Sequence, residues 1–373
     1  MNSPEKFPTN KDNENPSPSR MPEIPSISLP KGGGAIQGIG EKFVADPSTG
    51  TGTMSVPIAV SPGRSGFAPQ LNLTYNSGSG NGSFGYGWDL GLPAITRQTE
   101  KGLPRYQDEV GSDVFILSGY EDLVPVLEPD GTRFEDATSV PGMVIHRYRP
   151  RVEGLFARIE RWTRLSDGDV HWRSISSDNI LTIYGQHSDS RIHDPRDPKR
   201  IFSWLISETR DDKGNAIIYE YKQEDGAGVD LKQAHERNRG DEFSDLRATN
   251  RYIKRISYGN RIPFLDDEGN RPLSLEPAML ESADWMFEIV FDYGEHNPDT
   301  PTPTDAGVWL CRRDPFSTYR AGFEVRTYRL CQRVLLFHHF PQEPDVGRDC
   351  LVRSTDFTYR NLPGDTDGQR QGE

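Results

Sequence analysis

MSVPIAVSPGRSGFAPQLNLTYNSGSGNGSFGYGWDLGLP, residues 54–93, is the stretch from which the fold is read. Met54, Val56, Ile58 and Val60 alternate with Ser55, Pro57 and Ala59, and Leu71, Leu73 and Tyr75 alternate with Asn72 and Thr74. Period-two alternation marks strands with one buried face. Gly63 and Gly66 punctuate the backbone between these strands, and Asn76 to Gly82, with Gly78 and Gly80 inside it, is a run of turn formers. Phe84, Tyr86 and Trp88 then recur at spacing two around Gly85 and Gly87. That pattern predicts a strand whose bare face is approached closely by other backbone, with Gly80 and Gly82 serving a turn before it.

Outward from this stretch the same alternation continues. It predicts strands over 41–45, 113–117, 123–127, 142–148, 202–206, 217–221, 252–258, 285–293 and 351–359. Residues 152–165 fit helical spacing through Val152, Leu155, Phe156, Ile159 and Trp162, and strand spacing through Leu155, Ala157 and Ile159. The setting selects strand. Leu231 to Asn238 is a loop or a short helix, and a parity slip between Val325 and Tyr328 predicts a bulge. With 36 glycines and 29 prolines the chain favours many short strands and turns over long helices. The expected fold is all-β, mainly antiparallel, with curved multi-stranded sheets, hairpins and few short helices. Residues 1–27 are polar and proline-rich and read as a disordered tail. RIHDPRDPKR, residues 191–200, reads as a linker between a first β part (28–190) and a second (201–362), before a polar end at 363–373 that reads as a truncation.

Charge and cysteines exclude some functions. A net charge of -13 argues against nucleic-acid binding, which requires a cationic face. Three cysteines do not make a disulfide framework and fit folding in a reducing compartment. The first twenty residues lack the apolar core of an ordinary signal peptide, and no apolar run approaches a membrane span.

Three long runs carry a resemblance: SLPKGGGAIQGIGEKF from Ser28, the run from Gly50 through Ile95, and KGLPRYQDEVGSDVFILSGYEDLVPV from Lys101. Further on, HRYRPRVEGLFARIERW, DDKGNAIIYEY, RYIKRISYGNR and DPFSTYRAGFEVRTYRLCQRVLLFHHF continue it to Tyr359. The chain resembles the N-terminal domain of the Salmonella virulence-plasmid B protein (SpvB) family, as it also begins the B components (TcB/TcaC type) of insecticidal toxin complexes. In this resemblance Gly63, Gly66, Tyr75, Gly78, Gly80, Gly82, Gly85, Gly87 and Trp88 are the structural family motif, and Asp211 to Tyr221 is similar to an RHS/YD hairpin. The resemblance implies part of an RHS/YD-like shell that encloses a toxic effector. The implied partners are downstream B-component segments, the C-component toxin protein and, indirectly, the A pore. It also implies a protein made and folded in the bacterial cytoplasm and then secreted by a non-classical route. The propeller repeats and the transferase domain of longer relatives are not found before Glu373.

No catalytic, cofactor or metal site is expected. Gly80 to Gly85 matches G-x-G-x-x-G, but Gly87, Gly91 and Pro93 follow where a dinucleotide site needs a helix. An ADP-ribosyltransferase requires a Glu-x-Glu pair, and no two glutamates here are two apart. His338 and His339, read with Cys331 and Cys350, lack metal-ligand spacing, since adjacent strand residues point to opposite faces. Arg147, Arg149 and Arg151 share one face if 142–151 is a strand. They are a possible contact to an acidic partner, or a solvated edge that discourages pairing. Trp88, Trp162, Trp172, Trp204, Trp285 and Trp309 are scattered and read as core, against a sugar-binding or adhesion module. The expected function is a non-catalytic structural and interaction module. The alternatives are a fragment of an ADP-ribosyltransferase toxin or the carbohydrate-binding module.

Overall fold

A computed structural model describes residues 42–46, 50–118, 122–152, 154, 156–240 and 244–359. The tails expected at 1–27 and 363–373, and Leu155, lie outside the described residues. Strands β1 (Lys42–Asp46), β2 (Thr51–Ile58) and β3 (Leu71–Asn76) pair antiparallel, β2 and β3 in register from Thr53↔Asn76 to Ile58↔Leu71. Alternation holds in β3, where Leu71 and Leu73 are buried.

The aromatic–glycine run departs from the expected single strand. It breaks into β4 (Asn81–Gly82), β5 (Gly85–Tyr86) and β6 (Trp88–Asp89). β4 and β5 form a hairpin, and β6 joins β3 as the fourth strand of the small sheet. Gly85 and Gly87 take φ of 98° and 80°, so the chain bends at each of them. Phe84 is therefore buried while Tyr86 is 68% exposed. Gly80 and Gly82 are not among the positive-φ glycines, and the turn passes through Ser83 and Phe84 instead.

The following strands are β7 (Ala94–Arg97), β8 (Phe115–Leu117), β9 (Asp122–Pro125), β10 (Glu135–Asp136), β11 (Met143–Pro150), β12 (Arg158–Arg164), β13 (Val170–Ile175) and β14 (Leu181–Tyr184). The strand reading of 152–165 holds from Arg158 onward, while Phe156 is exposed at φ 48°. The expected linker is a hairpin: β15 (Arg191–Asp194) pairs with β16 (Asp197–Arg210), and Arg200 reaches Asp194 at 2.6 Å across it. Its charges look like a linker in sequence but neutralise one another across the turn.

The 14-residue β16 decides the topology. It pairs with β7 through Ser203–Leu205 and with β14 through Ile206–Arg210. The order β14-β13-β12-β11-β9-β8-β7-β16 thus closes on itself as an eight-stranded barrel. Its centre is aromatic: Trp172 lies 4.9 Å from Phe115, 4.9 Å from Tyr148 and 6.0 Å from Trp204, centroid to centroid.

From β16 the sheet continues out of the barrel. β17 (Ala216–Gln223), β18 (Arg251–Asn260), β19 (Trp285–Asp292), a separate hairpin of β20 (Phe316–Thr318) and β21 (Val325–Thr327), then β22 (Arg333–Phe340) and β23 (Gly347–Asp356) complete the chain. The β16–β17 turn matches expectation, with Gly214 at φ 79° and Asp211 accepting from the Lys213 and Asn215 amides at 2.9 and 2.8 Å. The bulge expected after Val325 is instead the end of β21 at Thr327. Residues 231–238 form turns, and the one α-helix among the described residues is Pro277–Glu281. That helix is far too short to cross a membrane, and no described helix is long and apolar enough to do so.

Candidate functional site

Residues 54–93 do not form part of the sheet that leaves the barrel. They are a second layer upon that sheet. Ile58, Phe67, Leu71, Leu73, Phe84 and Leu90 share one core with Tyr258, Phe287, Phe291 and Leu336. Polar ties fix the layer: Tyr258 donates to the Ser61 carbonyl at 2.9 Å, Arg64 to the Asn260 and Arg261 carbonyls at 3.0 and 2.7 Å, and the Cys331 amide to the Ser83 carbonyl at 2.8 Å. Arg312 donates to the Gly82 carbonyl at 2.9 Å. The glycines of this layer differ in what surrounds them. A Cβ on Gly87 would lie 2.5 Å from the Tyr75 ring, at a φ only glycine adopts easily, whereas one on Gly80 would meet nothing within 4 Å. Gly87→Ala is expected to cost about 1–3 kcal/mol from backbone strain. Gly80→Ala should stay within about 0.5 kcal/mol, as surface changes do. Equal urea midpoints for the two variants would refute this account.

Closing the barrel removes its edges, so the sheet ends at β23. β23 pairs with β22 from Arg333↔Asp356 to Phe340↔Gly347, with register shifts at Leu336/Phe337 and between His338 and Phe340. Its other side has no strand among the described residues. Leu351 and Val352 at its middle are exposed, and Arg348, Asp349, Arg353 and Asp356 flank them. An edge strand presents a row of backbone N–H and C=O groups to any chain that can lie beside it.

Of the three arginines expected to share a face, Arg147 and Arg149 stand two apart on β11, which keeps them on one face, and Arg151 lies outside the strand. Arg149 is exposed on β11, and Arg151 lies beyond the strand, 3.3 Å from Asp122. Arg147 stands over the Phe134 ring at 4.2 Å, with Nε 3.7 Å from Glu160 Oε1. It lines a cleft of about 290 Å³ on the barrel wall with Arg158, Glu160, Trp162, Arg173 and Arg271. Glu160 is fully engaged: Arg158 Nε lies 3.0 Å from Oε1, and Trp162 Nε1 donates to Oε2 at 3.0 Å. Arg173 stacks on Trp162 at 3.8 Å, donates from Nε to His171 Nε2 at 3.1 Å and from an η nitrogen to the Leu273 carbonyl at 3.0 Å. Burial, and then the neighbouring Arg173, push His171 down to about 3, so it is a neutral acceptor. Burial, then Arg210, push Arg173 itself down to about 10. None of the partners of Arg147 was legible, because they come from strands and an arm far apart in sequence.

The histidine pair does not form a metal site. His338 Nε2 meets Ser61 Oγ at 2.6 Å, and His339 Nε2 meets Glu288 Oε2 at 2.8 Å, on opposite faces of β22 as strand parity requires. A different group, Glu295, His296 and Asp305, converges closely enough for a cation. Lys254 already fills it: its ammonium bonds Glu295, lies 2.7 Å from His296 Nε2 and 3.0 Å from Asp305. The protein supplies its own cation there, which pins the loop after β19 onto β18.

Comparisons with known proteins agree with this architecture. Residues 46–340 match the family model described as Salmonella virulence plasmid 65kDa B protein. The mono(ADP-ribosyl)transferase SpvB of Salmonella choleraesuis (strain SC-B67) is 37% identical over 346 residues, covering 90% of this chain and 54% of that protein. The chain thus spans about half the length of the curated relatives it matches. The structure of the N-terminal domain of effector protein SpvB from Salmonella typhimurium strain LT2 superposes with TM-score 0.71 at 37% identity, covering 83% of this chain and 94% of that one. The crystal structure of TcdB2-TccC3 superposes with TM-score 0.71 at 34% identity, covering 89% of this chain and 16% of that one.

Proposed function

The chain belongs to the Salmonella virulence plasmid 65kDa B protein family, and on that premise we propose that it is a non-catalytic structural module that forms part of a β-shell around a toxic effector. The single observation that carries this reading is the asymmetric sheet: closed as a barrel at one end, and at the other ending in β23, whose outer side has no strand among the described residues. A self-contained β-domain covers or shortens its edges, whereas a wall segment must offer one. The next strands of the shell are the occupants of that edge, supplied by a downstream B-component segment, with the C-component protein completing the enclosure. On the same reading the module folds in the bacterial cytoplasm before export, which its three free cysteines fit.

The test is co-expression of the chain with downstream B-component and C-component segments of a related toxin complex. The wild-type chain is expected to co-purify with them. Leu351→Lys with Val352→Lys should abolish association while leaving the melting temperature close to wild type, because both side chains are exposed and edge lysines oppose pairing. Association that survives both lysines, or never occurs, would overturn the reading. Transfer from labelled NAD by the chain alone would overturn its non-catalytic part.

A further inference from the structure

The cleft on the barrel wall has no role in edge pairing, and its chemistry points to a ligand. Its walls come from β11 to β14, the turn after β10 and the arm at 271–273. Four arginines line it (Arg147, Arg158, Arg173, Arg271) against two carboxylates (Asp136, Glu160). Both carboxylates are occupied. Asp136 caps its own turn by accepting the Thr138 and Ser139 amides at 3.0 and 2.9 Å, and Glu160 is held by Arg158 and Trp162.

The decisive group is Arg173. It is 6% exposed, yet it makes no ion pair among the described residues. Its two protein hydrogen bonds go to a neutral imidazole and a backbone carbonyl, and the carboxylates whose charge reaches it, Glu208 and Glu160, are each in ion-pair contact with another arginine, Arg210 and Arg158. A buried cation is normally paired, because desolvation is costly and a partner offsets it. Here the neutral partners hold the guanidinium over the Trp162 ring, 3.8 Å from its centroid, at the wall of the cleft. Ile145, Ile175 and Leu181 supply apolar wall beside it. A planar fork beside apolar surface matches a carboxylate on a short methylene stem, bound bidentately. The volume lies at the small end for ligand clefts, so a side chain fits where a nucleotide does not.

We propose that this cleft binds the carboxylate of a glutamate or aspartate side chain presented by an acidic peptide segment, with Arg173 as the bidentate partner and Arg158 and Arg271 as the flanking charges. This goes beyond the shell reading and stands or falls independently of it.

The test is calorimetric titration of the full chain with an acetylated, amidated hexaglutamate peptide, with glutarate and inorganic phosphate in parallel. The peptide is expected to bind at low ionic strength and to weaken as salt rises. Arg173→Gln should weaken it about tenfold or more, the loss expected for a hydrogen bond to a charged group. Arg158→Gln removes the charge of an exposed side chain at the mouth while keeping a donor within reach of Glu160, and should also weaken binding, so it decides the matter if Arg173→Gln does not fold. Equal binding of phosphate would overturn the carboxylate assignment, and equal binding of glutarate would overturn the peptide source. Absence of peptide binding by the folded wild type, or undiminished binding by Arg158→Gln, would overturn the proposal outright.

Discussion

Arg329→Met is expected to destabilise the chain by about 3–5 kcal/mol, because it strips the partner from a buried carboxylate. Arg329 and Glu224 are both fully buried, and they form a fork: Nε donates to Glu224 Oε2 at 2.9 Å while a second nitrogen bonds Oε1. The same guanidinium donates to the Ala227 and Trp309 carbonyls at 2.8 and 3.2 Å and lies over the Trp309 ring at 4.1 Å. One side chain therefore ties the loop after β17 to the arm before β22. Glu224→Leu alone should cost a similar amount. The double variant should recover part of the loss, since a removed ion pair leaves no orphan charge. Recovery will be incomplete, because the two carbonyls lose their donor. Urea midpoints of the four proteins check this. A loss under about 1 kcal/mol for Arg329→Met, the range of exposed pairs, would sink it.

Trp172→Ala is expected to cost about 3–5 kcal/mol by leaving a cavity the barrel cannot fill. Trp172 is fully buried among Phe115, Tyr148 and Trp204, and these three rings approach from three other strands. Collapse around the void would require the strands to move against their own hydrogen bonds. For a chain of this size the melting temperature should fall on the order of 10 °C. Trp88, half-buried against Tyr75 at 5.3 Å, is the control, and its alanine variant should lose much less. Comparable losses at the two positions would mean that the barrel centre is not the tightly packed core described.

Individual strands were legible because each carries its own period. Ile217, Tyr219 and Tyr221 alternate in β17, and Phe287, Ile289 and Phe291 alternate in β19. The failures have local causes. Pro195 and Pro198 made 191–200 look like a linker, but prolines are also tolerated at a hairpin turn and on an edge, where no ladder donor is needed. Pro277 at the first helical position was a start signal that passed unread before Pro277–Glu281. Alternating aromatics and glycines in 84–88 mimicked a strand, but the positive φ of Gly85 and Gly87 rotates the chain between successive aromatics. At the cleft the sequence marks Arg147 as a contact and Trp162 only as core. Arg158, Glu160, Arg173 and Arg271 were not singled out, because nothing in their local sequence distinguishes a charge that will be buried from one that will be solvated.

The sequence by itself determined the all-β class, many of the strands and the family, because side-chain period and turn chemistry are written over a few adjacent residues. Only the tertiary structure decided that Thr96 and Ser203, 107 residues apart, pair to close a barrel, and that β23 ends the sheet with no further strand beside it among the described residues. The reason is physical. Strand pairing is made by backbone groups that every residue carries alike, so which strands meet, which edge stays open and which arginine is buried beside a cleft are settled by the packing of the whole chain.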